Sequence, residues 1–394
     1  MPIANAIREV LGSQSLIRKM FEEGALLKKQ HGADKVFDFS LGNPDLEPPL
    51  AFRQVFLKLA EENKKGAHGY MNNAGFPEVR EALAKKTSLE QAVTLDGSHI
   101  IMSCGAAGGL NVVFKSILNP GDEVIISKPY FMEYRPYTSN HGGRIVEVDA
   151  LADFNLDVEG IKAKLSPQTA AVLINSPHNP TGRIYPAETI NRLAEALREH
   201  GAKCGRKPYL VADEPYRELA YDGVVVPPVL SAYSESLVVS SFSKSLSLPG
   251  ERIGFIGVSP EIEDKQSLLG ALTYATRVLG FVNAPALMQR IVGELTTAKA
   301  DLNIYAERRA AFMGILDEAG IEYAKPEGAF YLFCKAPGGD DLTFVDHLKK
   351  HLVLGVPGSG FAKPGWMRFA YCVDEKIIRA AGEAFKRAMD SWGK

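Results

Sequence analysis

A lysine stands just past the apolar run Ser236-Leu-Val-Val-Ser-Ser241, in the segment Ser241-Phe-Ser-Lys244. Lysine is rarely buried without a partner. One chemistry gives it a reason to stand at the mouth of a buried strand: an amine with a lowered pKa that condenses with an aldehyde as a Schiff base. Taken alone, Lys244 reads as an ordinary surface residue, but other groups keep it company. Arg252 lies downstream in Pro249-Gly-Glu-Arg-Ile-Gly254. Asp213 closes the preceding apolar run, followed by Tyr216, and Asn179 lies in the turn after the run before that. Further upstream, Cys104-Gly-Ala-Ala-Gly-Gly109 joins an apolar run to a helical pattern.

These residues need a scaffold that brings the ends of several strands together. Short apolar runs at His99–Ser103, Glu123–Ser127, Ala170–Asn175, Tyr209–Ala212 and Ser236–Ser241 alternate with helical patterns. That alternation predicts an α/β fold, a mostly parallel sheet sandwiched by helices, with ligands at the carboxyl ends of its strands. A helix is predicted from Glu188 to His200, with Gly201 as its stop. After residue 285 the pattern changes to α+β: a long helical stretch to Ala319, strands at Phe330–Phe333 and Met367–Tyr371, and helices at Asp346–His351 and Asp374–Met389. The expected organisation is a large domain over 50–285 and a smaller discontinuous domain of 1–49 plus 286–394. Pro44, Pro48 and Pro49 form a rigid crossover between the two.

The chain has 394 residues, with 45 Lys and Arg against 47 Asp and Glu. Near-neutrality leaves no global field to draw it to nucleic acid or to an anionic membrane. No apolar run approaches a membrane span, and the N-terminus lacks the apolar core of a signal peptide. Four scattered cysteines, with no CxxC pair, predict a reducing, cytoplasmic setting rather than a disulfide framework.

The constellation matches what pyridoxal phosphate requires. A lysine carries the aldehyde as an imine, and a carboxylate keeps the ring nitrogen protonated. An amide and a phenol bind the ring hydroxyl. A small-residue loop opening a helix offers N–H groups to the phosphate, and an arginine adds a charged fork. The chain resembles the class I/II aminotransferases of the aspartate aminotransferase superfamily, with the fold-type I architecture. The resemblance extends from Asp38-Phe-Ser-Leu-Gly-Asn-Pro44 to Arg368. It is carried above all by Ser241-Phe-Ser-Lys-Ser-Leu-Ser-Leu-Pro-Gly-Glu-Arg-Ile-Gly254, Asn175-Ser-Pro-His-Asn-Pro-Thr-Gly182 and Asp213-Glu-Pro-Tyr216.

The resemblance implies a role for each matching residue. Lys244 holds the cofactor and serves as general base and acid, Asp213 pairs with the ring nitrogen, and Asn179 and Tyr216 bind the ring oxygen. Gly105, Ala106, Ala107, Ser241, Ser243 and Arg252 hold the phosphate. Phe131 stacks on the ring, where many relatives carry Trp or Tyr. Tyr70 reaches the phosphate of a neighbouring subunit, which implies a homodimer with shared sites. Arg368 grips the substrate α-carboxylate beside Gly42 and Asn179. The substrates implied are an L-amino acid and a 2-oxo acid.

Side-chain preference is less legible. Arg277, in Thr273-Tyr-Ala-Thr-Arg-Val-Leu-Gly280, loosely matches a place where some relatives carry an arginine for a distal carboxylate, so an aspartate/glutamate-type substrate is expected; Arg18 and Lys19 are weaker candidates. A β-lyase or another non-transaminating enzyme on the same scaffold shares these motifs and stays open. A nicotinamide enzyme is disfavoured by the missing GxGxxG. Cys104 reads as a small filler, His178 as structural, and His347 with His351 as a surface pair without a metal motif. Gly358-Ser-Gly360 is expected to shape a loop near Arg368.

Overall fold

The computed structural model describes residues 3–4, 7–8 and 16–393. In chain order its strands are β1 (Phe37–Asp38), β2 (Ile100–Ser103), β3 (Glu123–Lys128), β4 (Arg144–Asp149), β5 (Thr169–Asn175), β6 (Tyr209–Asp213) and β7 (Ser236–Ser241). They continue with β8 (Gly254–Val258), β9 (Tyr323–Ala324), β10 (Tyr331–Lys335), β11 (Val353–Leu354), β12 (Val356–Pro357) and β13 (Trp366–Ala370). The large sheet has the order β2-β8-β7-β6-β5-β3-β4. It is parallel throughout except for β8, which runs antiparallel to both neighbours.

Successive residues of the central strands feed opposite cores, as the two-residue period of a strand dictates. Val172, Ile174, Leu210 and Ala212 pack into one helix-covered layer, while Ala171, Leu173 and Val211 pack into the other. With both faces covered, these strands read as unbroken apolar runs. Two strands escape that signature. β4 is an edge strand with mostly half-exposed residues, and β8 returns directly from the Pro249–Gly254 turn without a helical crossover.

A third core gathers around the antiparallel sheet β12-β13-β10-β9. β1 pairs in parallel with β11 and ties the N-terminal segment to the C-terminal third, Phe37 opposite Val353. The stretch read as one helix up to Ala319 is two helices, Ala286–Glu294 and Leu302–Glu318, the second capped by Asp301, whose carboxylate accepts from the Asn303 N–H at 3.0 Å. The first of the two packs Met288, Ile291 and Val292 into the core of the large sheet. This packing lies on the other side of the boundary expected at 286. Gly201 does not stop its helix, which runs Ala187–Cys204 and ends at Gly205 with φ 75°. Gly201 is there for close approach, since a Cβ would come 2.8 Å from Lys207 Cγ. His347 and His351 are half-buried rather than a surface pair. His347 Nε2 lies 2.9 Å from the Ala388 carbonyl, against the C-terminal helix. Among the described residues no helix is long and apolar enough to cross a membrane.

Candidate active site

The carboxyl ends of β5, β6 and β7 open onto a cavity of about 290 Å³, lined by Ala106, Ala107, Phe131, Asn179, Asp213, Tyr216, Ser241, Ser243, Lys244, Arg252, Gly42 and Arg368 among others. The sheet register sets this convergence. Asn175 at the end of β5 is the partner of Asp213 at the end of β6. Asn175 Nδ2 donates to the Asp213 carbonyl at 2.8 Å, and its Oδ1 accepts from the Asn179 N–H at 2.7 Å. One side chain thus fixes both the strand end and the following turn.

Asp213 is buried. Its Oδ2 accepts from the Tyr134 hydroxyl at 2.5 Å, while its Oδ1 is buried with no partner. Burial raises this carboxyl to about 7, against the pull of the Tyr134 hydrogen bond. Lys244 follows β7 in the short helix Phe242–Ser245. Its Nζ donates to the Gly42 carbonyl at 2.6 Å and lies 5.3 Å from the Phe330 ring centre. Loss of water there lowers its pKa to about 8, and the nearby Arg368 and Arg252 cations push the same way. Lowered pKa values of this kind suit a nucleophilic or proton-transferring amine.

Arg252 holds a left-handed φ of 52° and donates from Nη1 to the Pro249 carbonyl at 3.1 Å. Its guanidinium crosses the first turn of the Gly105–Ile117 helix so closely that a Cβ on Gly105, itself at φ 69°, would come 2.6 Å from Nη2. The left-handed φ favours glycine there, and a side chain would have to displace the guanidinium. The arrangement sets an arginine, two buried serines and a helix N-terminus around one corner of the cavity, chemistry that suits an anion.

Arg368 comes from β13, on the smaller sheet. It is buried, donating from Nη1 to Asn179 Oδ1 at 3.0 Å and from Nη2 to the Ser40 carbonyl at 2.7 Å. Its guanidinium carbon lies 4.5 Å from the Tyr331 ring centre and 4.8 Å from that of Phe361, which closes the Gly358–Phe361 turn. Its Nε is buried and unpartnered. Phe131 lies edge-on to Tyr134 at 5.6 Å.

Three predicted residues do not line this cavity: Gly105, which lies behind it against the Arg252 guanidinium, Tyr70 and Arg277. Tyr70 is 93% exposed. Arg277 is exposed near the end of the Lys265–Val278 helix, its guanidinium over the Tyr274 ring at 5.4 Å, facing a separate groove with Asn72 and Asn73. Lys19 pairs with Glu23 at 3.8 Å, and the side chain of Arg18 lies outside the described residues. Among the lining residues that the sequence reading gave no role are Tyr134, Tyr137, Asn175 and Tyr331. Tyr331 sits inside an apolar run; Asn175, at the head of the Asn175–Gly182 motif, and Tyr134, one helical turn after Phe131, carried a usable signal.

His178 is structural, as expected. It is buried beside Thr181, and burial lowers its pKa to about 3, so it stays neutral. Cys104 is half-buried at the start of the phosphate-corner helix, and burial raises its thiol.

The residues fit pyridoxal phosphate. The unpaired Asp213 Oδ1 suits a protonated ring nitrogen, the Gly105 corner suits a phosphate, and the softened Lys244 amine suits an aldehyde.

Comparison with known proteins agrees. The sequence model for "Aminotransferase class I and II" matches residues 34–385. The chain is 32% identical to a probable aspartate/prephenate aminotransferase of Aquifex aeolicus, over 90% of this chain and 91% of that one. It is 30% identical to the aspartate/prephenate aminotransferase of Thermus thermophilus, over 93% and 94%. A crystal structure of an aminotransferase from Eubacterium rectale superimposes with a TM-score of 0.96 at 37% identity, covering 100% of both chains. The aspartate aminotransferase of Thermus thermophilus, crystallised with maleate, superimposes with a TM-score of 0.88 at 28% identity, over 98% of this chain and all of that one. The relatives are transaminases, which decides against the β-lyase alternative. A cavity framed by a lysine, an unpaired carboxylate and an anion corner thus meets a family match over most of the chain: the protein belongs to the class I and II aminotransferases and is a pyridoxal phosphate-dependent transaminase, moving an amino group between an L-amino acid and a 2-oxo acid.

Proposed function

We propose that the protein transaminates dicarboxylic substrates of the aspartate/glutamate type, as a cytoplasmic homodimer serving amino acid metabolism. The observation that carries the site assignment is the convergence of Lys244, the unpaired Asp213 Oδ1 and the buried Arg368 on one cavity.

Bound there, pyridoxal phosphate supplies an electron-accepting ring that stabilises the charge left when the substrate Cα proton departs. Lys244 holds the cofactor and, once displaced by the substrate amine, takes the Cα proton at Nζ. The same Nζ would hold that proton and give it back within the cavity. A pKa near 8 keeps a useful fraction of the amine neutral at working pH. Asp213 keeps the ring nitrogen protonated, its Oδ2 already held by Tyr134 so that Oδ1 faces inward. Asn179 and Tyr216 bind the ring oxygen, and Phe131 covers the ring. Gly105, Ala106, Ala107, Ser241, Ser243 and Arg252 hold the phosphate. Arg368 orients the α-carboxylate beside Asn179 and Gly42, and its two existing bonds fix the plane of the fork in advance.

The dimer reading rests on the outer face. Tyr70, Tyr274, Val278, Leu50 and Leu57 are all exposed, Tyr70 at 93%, and a second copy of the chain would cover such side chains. In the homodimer Tyr70 reaches the partner's phosphate corner, and Arg277 faces the partner's cavity as the second cation that a distal carboxylate needs. Relatives named for aspartate, and a neighbour crystallised with maleate, a dicarboxylate, support that preference.

A screen of amino donors against 2-oxoglutarate, oxaloacetate and pyruvate tests the proposal. Glutamate and aspartate are expected to turn over fastest. Faster turnover of aromatic or branched donors sinks the dicarboxylate assignment but leaves the transaminase standing.

A further inference from the structure

Tyr331, in β10, ties three parts of the site together. Its hydroxyl lies 2.7 Å from that of Tyr216. The same hydroxyl sits so close over Gly42 that a Cβ there would come 2.1 Å from it, which leaves room for glycine alone. Its ring lies 4.5 Å from the guanidinium carbon of Arg368.

Burial raises the Tyr331 phenol to about 12 and the Tyr216 phenol well above its usual range, so both stay protonated at working pH. Two protons then serve one hydrogen bond. Either hydroxyl could be the donor; with Tyr216 donating, the Tyr331 proton would be left in the crowded space beside Gly42, on a ring that already carries the Arg368 cation on its face. With Tyr331 as donor, the Tyr216 proton is free to face the cavity that both residues line.

We infer that Tyr331 is a positioning residue for transamination: its hydroxyl donates to Tyr216 and so aims the Tyr216 proton at the ring oxygen of the cofactor. This rests on the assignment of Tyr216 given above. A hydroxyl that accepts a hydrogen bond becomes a stronger donor. A ring oxygen held by a stronger donor keeps the proton of the neighbouring lysine imine less firmly, so that imine titrates at lower pH.

The test is the pH dependence of the cofactor's absorption band in the loaded protein, compared among the parent, Tyr331→Phe, Tyr216→Phe and the double variant. The midpoint is expected to rise by about half a pH unit in Tyr331→Phe and by about one unit in Tyr216→Phe. The double variant should match Tyr216→Phe alone, because Tyr331 acts through Tyr216. Tyr331→Phe keeps the ring against Arg368, so the donor KM should stay within about twofold. An unmoved midpoint in Tyr331→Phe alongside a shifted one in Tyr216→Phe overturns the relay and leaves the Tyr216 assignment intact. Additive shifts overturn it as well. A raised KM with an unmoved midpoint would make Tyr331 a packing residue for Arg368. If Tyr216→Phe itself shifts nothing, the relay and the Tyr216 assignment fall together.

Discussion

Lys244 and Asp213 stand at the ends of buried strands, each with a bonded partner within the chain. Tyr70 and Arg277 stand on an exposed turn and near an exposed helix end, with no such tie to the cavity. The floor of the site is complete in one chain, and its geometry is set by strand register, which tolerates little variation. In the proposed homodimer a second chain completes the outer rim, whose side chains are exposed in the single chain. The difference separates two tasks. On the proposed reading the floor fixes the reaction, while the rim chooses among substrates.

The largest expected effect falls on the floor. Lys244→Ala should lower turnover by at least ~10⁴-fold and abolish the absorption band of the lysine imine. A variant that keeps the band would overturn the assignment of the floor. Arg368→Gln should come next, lowering kcat/KM by roughly a hundredfold through lost orientation, most of it in KM. If kcat alone falls, Arg368 acts on the reacting bonds rather than on the carboxylate.

On the rim the effects should be smaller and selective. Arg277→Gln should lower kcat/KM about tenfold for aspartate and glutamate while leaving alanine untouched. Equal losses for all donors would make Arg277 a purely structural residue.

A last prediction sets burial against pH on the floor. The Asp213 carboxyl is raised to about 7 from 3.8, so the folded protein holds a proton that the unfolded chain has released across that window. In cofactor-free protein, stability should therefore fall as pH rises from about 4 to about 7. Asp213→Asn should flatten part of that fall in thermal melts. Glu214, also raised to about 7 by burial, contributes in the same direction, so the difference between the two proteins is the readout. Identical profiles would show that burial does not strain Asp213.

The floor was legible because its residues follow apolar runs directly, so sequence order and strand ends carry the same information. β4 and β8 were missed because one is half-exposed and the other lacks a crossover helix. Tyr134 and Tyr331 were missed for a different reason. An aromatic residue in an apolar stretch looks the same whether its hydroxyl meets solvent, a carboxylate or another phenol. Only the meeting of β6 with the Tyr134 turn, or of β10 with the Tyr216 loop, reveals the contact. The helix Ala286–Glu294 shows the same limit for packing. Its amphipathic pattern declares a buried face but not which of two cores will cover it.

Arg368 rides on the smaller sheet and Lys244 on the larger one. No strand's internal geometry therefore sets the span from carboxylate grip to proton-transferring amine. The seam between the two domains sets it, where Arg183 meets Glu327 at 3.0 Å and Arg309 meets Asp222 at 2.7 Å. A misalignment of about 1 Å at a reacting centre costs on the order of a hundredfold in rate. Changes in these ion pairs can thus retune which substrate lengths react well, so that part of the substrate range is inherited through residues no substrate touches.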